Sequence, residues 1–98
     1  MEKKPANYET IFIVNAEIGE DDRMAVVEKF KTLISDNAEV TKIDEWGKRR
    51  MAYPINDMHE GYYVFISFVA AQAFPAELDR VYKITDGILR SLIVNVNE

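Results

Sequence analysis

Two apolar rhythms alternate along this chain, and their order limits the possible folds more than any single residue does. Tyr8 to Asn15 (YETIFIVN) is rich in β-branched and aromatic residues and has the length of a strand. Gly19 then breaks the chain, and Glu20, Asp21 and Asp22 favour a helix start because acids face the partial positive charge of a helix N-terminus. Val26, Val27, Phe30, Leu33 and Ile34 follow at helical spacing, with Glu28, Lys29 and Lys31 outside the stripe, which predicts a helix packed on one face. Glu39 to Tyr53 (EVTKIDEWGKRRMAY) alternates polar and apolar residues as a long strand does, and Gly47 within it reads as a bulge. Pro54 to Glu60 reads as a polar connection, and Gly61 to Val69 (GYYVFISFV) as the second arm of a hairpin. Pro75 suits a first helical position, Leu78, Val81 and Tyr82 form a second short stripe, and Asp86-Gly87 stops it. Ile88 to Val96 (ILRSLIVNV) closes the chain as a fourth strand.

The resulting order, βαββαβ, predicts an α+β fold: a ferredoxin-like split βαβ sandwich with a four-stranded antiparallel sheet and two helices on one face. With 98 residues there is room for one domain, read over residues 8–96, preceded by a flexible arm over 1–7 and followed by a short end at 97–98. Apolar residues are 48% of the chain and charged residues 30%, a composition that folds. No apolar run has the length to cross a bilayer, Met1 to Ala6 lacks the apolar segment of a secretory signal, and there is no cysteine. A reducing cytoplasm is the expected location.

A sandwich of this kind buries one sheet face under its helices and leaves the other open. In the first strand Thr10, Phe12 and Val14 are expected inward, with Glu9, Ile11, Ile13 and Asn15 outward. In the third, Tyr63, Phe65 and Ser67 are expected outward. Ile11, Ile13, Tyr63 and Phe65 would then form an apolar patch, which soluble monomers avoid unless a partner, a loop or the terminal arm covers it.

Catalysis finds little support in these residues. Nucleophilic chemistry needs a serine or cysteine with a base and an orienting acid, and the chain has one histidine, His59, within the polar connection. Glu20, Asp21 and Asp22 lack the alternating ligands and glycine of a calcium loop, and the four glycines are not clustered as in a phosphate-cradling loop. The residues therefore indicate no catalytic group, no metal site and no cofactor. RNA-recognition modules share the strand and helix order, and Ile11 to Asn15 looks like their first-strand motif, but Phe12 faces inward here. Glu60 to Ser67 matches their third-strand motif only at Gly61 and the next aromatic.

The remaining feature is a knot of cations, EWGKRRMAYPI at residues 45–55, in a chain whose net charge is -5. Seventeen acids against twelve basic residues oppose attraction to polyphosphate, so a nucleic-acid role needs locally concentrated cations or a basic partner. Lys48, Arg49 and Arg50 are adjacent on a strand and must point to alternate faces. A solvated edge strand kept from pairing by its charges is the competing explanation of the same residues.

Gly47-Lys48-Arg49-Arg50-Met51-Ala52-Tyr53-Pro54-Ile55-Asn56 resembles the signature segment of the bacterial small-subunit ribosomal protein six family, with Met51 where that family usually has leucine. Tyr8-Glu9, Glu45-Trp46-Gly47, Glu60-Gly61-Tyr62-Tyr63, Asp79-Arg80 and Thr85-Asp86-Gly87-Ile88-Leu89-Arg90 extend the resemblance over nearly the whole chain. It implies a structural constituent of the small ribosomal subunit, acting in translation and not as an enzyme. It further implies binding to the central domain of small-subunit ribosomal RNA as a heterodimer with the basic small-subunit ribosomal protein eighteen, from a chain that is a monomer when isolated. On this reading Lys48, Arg49, Arg50, Trp46 and Arg90 contact RNA, and Ile11, Ile13, Tyr63 and Phe65 meet the protein partner. A small-molecule-binding regulatory domain of the same sandwich fold is the alternative.

Overall fold

The computed structural model describes residues 4–55 and 58–96. Its elements run β1 (Ala6–Asn15), α1 (Glu20–Asn37), β2 (Ala38–Ile55), β3 (Met58–Ala70), α2 (Phe74–Ile84) and β4 (Ile88–Asn95). Every strand pairing is antiparallel, in the order β2-β3-β1-β4, with the helices against one face. The βαββαβ sandwich expected from the sequence is the fold observed.

Two boundaries differ from the sequence reading. β1 begins at Ala6, so Ala6 and Asn7, read as the end of an arm, pair with Ala70 and Val69, and Ala6 is buried. The hairpin is also longer than expected, since β2 reaches Ile55 and β3 starts at Met58. Residues 1–3, 56–57 and 97–98, which include the first three residues of the arm, the middle of the expected connection and the C-terminal end, lie outside the described residues.

The helices form where their acids and apolar stripes require. The first turn of α1 carries Glu20, Asp21 and Asp22, and the helix buries Val27, Phe30 and Ile34. Asn37 Nδ2 donates to the Leu33 carbonyl at 2.8 Å, satisfying one of the last unpaired carbonyls before the chain turns into β2. α2 carries Pro75 in its first turn and buries Phe74, Leu78 and Tyr82. It ends where Thr85 Oγ1 donates to the Val81 carbonyl at 2.6 Å, and Gly87, at φ +96°, provides the left-handed residue that leads into β4.

Thr10, Phe12 and Val14 face the helices as expected, and all three are fully buried. Phe12, Phe30 and Tyr82 pack as a ring cluster, with centroid separations of 5.4, 5.4 and 4.5 Å. Burial of each such side chain contributes about 1.5–3 kcal/mol. Thr10 Oγ1 donates to the Leu92 carbonyl at 2.9 Å and lies 3.0 Å from the Tyr82 hydroxyl, which must therefore be the donor to Thr10. The two buried hydroxyls are paired, and burial pushes the Tyr82 phenol well above its ordinary pKa.

Candidate nucleic-acid interface

β1 stops pairing with β3 at Asn15 and Gly61, whereas β2 and β3 continue together through Lys48 opposite Tyr62, Arg49 opposite Gly61 and Arg50 opposite Glu60. The cation run thus stands where the hairpin leaves the body of the sheet, and its three side chains are exposed. The register gives their faces. Gly61 shares the open-face parity of Asn15, so Arg49 belongs to the open face, while Lys48 and Arg50 share the helix-side parity of Tyr62.

The bulge expected at Gly47 is present. The β2–β3 register shifts between Glu45 and Gly47, and Gly47 has φ +84°, a conformation that a side chain would strain. The extra residue separates the fates of two neighbours. Glu45 turns to the helix side, where its carboxylate accepts from Lys31 Nζ at 2.6 Å and from the Tyr62 hydroxyl at 2.8 Å. Trp46 turns to the open face and stacks against Phe65 and Tyr63, with centroids 6.1 and 6.2 Å away and planes within 5° and 15°. The tryptophan remains 39% exposed. Arg49 Nε donates to the Trp46 carbonyl at 3.3 Å.

The Lys31 ammonium holds the Glu45 carboxyl below the usual carboxylate range, with help from the Tyr62 hydroxyl. Desolvation and the Glu45 hydrogen bond push the Tyr62 phenol up, and the same carboxylate raises Lys31. The Arg23 guanidinium lies 4.6 Å from the Tyr62 ring centre. Arg23, Glu45 and Tyr62, with Met24, Val27 and Glu28, line a cavity of about 90 Å³, too small for a drug-sized ligand. Among the described residues no three His, Cys, Asp or Glu side chains gather as a metal set.

Arg90 is opposite Ile13 on the open face, and its guanidinium lies 5.6 Å from the Tyr53 ring centre. Lys42 Nζ lies 6.0 Å from the centre of Phe65. The structure therefore brings Trp46, Arg49 and Arg90 to one face and separates Lys48 and Arg50 from them.

The expected apolar patch needs one correction. Ile11, Tyr63 and Phe65 are neighbours on the open face and partly exposed, but Ile13 is buried, at 8%. Its Cγ2 occupies the space that a Cβ on Gly61 would need, and Met51 Sδ closes over the same point. Ile13 thus supports the face rather than offering area to a partner. In exchange β4 contributes Leu92, 57% exposed, and Val94, 41% exposed, which the sequence reading did not select. Alternation through Arg90, Leu92 and Val94 was the signal available for them. Ile11, Ile13, Arg90, Ser91 and Leu92 line a hollow of about 140 Å³.

Residues 7–95 match the family described as Ribosomal protein S6. The small ribosomal subunit protein bS6 of Clostridium novyi is 49% identical over 90 residues, covering 91% of this chain and 95% of that protein. The bS6 protein of Desulforamulus reducens is 50% identical over 93 residues, covering 94% of this chain and 98% of that protein. The crystal structure of 30S ribosomal protein S6 from Thermotoga maritima superposes with a TM-score of 0.87 at 30% identity, covering 94% of this chain and 88% of that one. Sequence and fold agree over almost the full length, and the chain belongs to the ribosomal protein S6 family, structural proteins of the small ribosomal subunit that are not enzymes.

Proposed function

We propose that this structural protein of the cytoplasmic small ribosomal subunit binds the central domain of small-subunit ribosomal RNA as a heterodimer with the basic small-subunit ribosomal protein eighteen. The observation that carries the reading is the union, on a domain of net charge -5, of an exposed cation run at the hairpin end with an apolar open face. A basic partner offsets the acidic charge and covers the apolar area, which bulk electrostatics alone would not overcome. Lys48, Arg49, Arg50 and Arg90 then meet phosphates, Trp46 meets RNA, and Ile11, Tyr63, Phe65, Leu92 and Val94 meet the partner over the support of Ile13. Binding proceeds by counterion release and positioning, because the deep major groove of duplex RNA does not admit these side chains.

A titration tests this reading. A labelled central-domain RNA fragment is titrated with the protein alone, which is expected to sediment as a monomer, and then with an equimolar amount of the basic partner. Tight binding is expected only with the partner. Absence of binding in both arms would refute the reading.

A further inference from the structure

The part of this surface around Trp46 has a more particular chemistry, and its assignment rests on the RNA reading above. We infer that the exposed part of the Trp46 indole is a stacking site for one unpaired RNA base, with Arg49 neutralising an adjoining phosphate. β2 is an outermost strand, and both rings stacked on Trp46, those of Tyr63 and Phe65, belong to its inner neighbour β3. The indole nevertheless keeps 39% of its surface exposed. The nearly parallel rings of Tyr63 and Phe65 hold the indole in place, so a base adds to an existing aromatic cluster without ordering a loose side chain.

Charge selects RNA over the protein partner at this point. Trp46 stands two residues before Lys48, Arg49 and Arg50, and Arg49 shares its face and is hydrogen-bonded to its carbonyl. Lys42 and Asp44, on the same face farther along β2, offset each other. A basic protein would bring like charge to the cation run, whereas a nucleotide brings a π-face for the indole and a phosphate for the guanidinium. The rest of the open face, from Tyr63 and Phe65 to Ile11, Leu92 and Val94, is left to the protein.

The chain has one tryptophan, so 5-fluorotryptophan labelling gives a single fluorine resonance at this site. The labelled protein is taken first to the pair with the basic partner and then to the complex with the central-domain RNA fragment. The resonance is expected to move at the RNA step. Trp46→Leu should weaken RNA binding by the pair roughly five- to hundred-fold, and Trp46→Phe should restore most of it. Both variants are checked for folding by circular dichroism, and pair formation should be unchanged. If the resonance moves only at the partner step, or Trp46→Leu weakens the pair instead, the indole belongs to the protein interface and the inference is wrong. Full-affinity RNA binding with an unmoved resonance removes the stacking site and leaves the RNA reading standing, while loss of all RNA binding by the wild-type pair removes both.

Discussion

Gly61 shows how a single residue shapes the open face. A Cβ built there would lie 2.2 Å from Ile13 Cγ2 and 3.6 Å from Met51 Sδ, so the glycine is the vacancy into which Ile13 packs. Its backbone needs no special conformation, and the constraint is purely one of space. Gly61→Ala should therefore destabilise the fold by about 1–3 kcal/mol through overpacking, read as a lower urea midpoint at unchanged slope. An unchanged midpoint would mean that Ile13 swings aside at no cost. Ile13 also marks where alternation misleads: parity put it on the open face correctly, but parity is silent about whether a neighbouring side chain closes over it.

Among the elements, β2 does two jobs because of its bulge. By inserting Trp46 between Glu45 and Gly47 it sends a carboxylate to the helix side and an indole to the open side. Lys31 reaches from α1 to Glu45, tying the helix to the edge strand. Since the folded protein depresses the Glu45 pKa, its contribution is complete above the ordinary carboxylate range and is lost as pH falls through the depressed value. Raised pKa values for Lys31 and Tyr62 place their loss on the alkaline side, as pH rises through them. The pair is partly exposed, so Glu45→Gln should cost only about 0.5 kcal/mol near neutrality. In the variant the acid limb of the stability curve, followed by thermal unfolding against pH, should be flatter. Equal acid limbs in both proteins would remove Glu45 from that titration. By contrast Arg80 and Glu77, paired within α2, and Lys83 and Asp79, paired at 2.8 Å, are surface ion pairs of small worth.

For the whole molecule the governing quantity is charge distribution. The sheet separates Arg49 on one side of the hairpin from Lys48 and Arg50 on the other, so an RNA strand using all three must wrap the hairpin end. Arg49→Ala with Arg50→Ala removes one cation from each side. The double variant should bind the RNA fragment, in the presence of the partner, more weakly and with a salt slope shallower by about 1.4–1.8 in log–log terms if both side chains meet phosphates. It should unfold at the wild-type temperature, because both side chains are exposed. A wild-type salt slope would take the cation run out of the interface.

The order of elements, the inward set Thr10, Phe12 and Val14, the helix stripes and the bulge at Gly47 were legible in the sequence, because each follows from local periodicity or from a residue's own backbone preference. The family signature was legible too, since it is a run of adjacent residues. Only the tertiary structure decided that Ile13 is covered, that Trp46 stacks on Tyr63 and Phe65, that Arg90 reaches Tyr53, and that Leu92 and Val94 extend the open face. Those facts depend on strand register and on which side chains meet across strands far apart in the chain. Periodicity gives the side of a sheet to which a residue points, and packing between strands decides what stands above it.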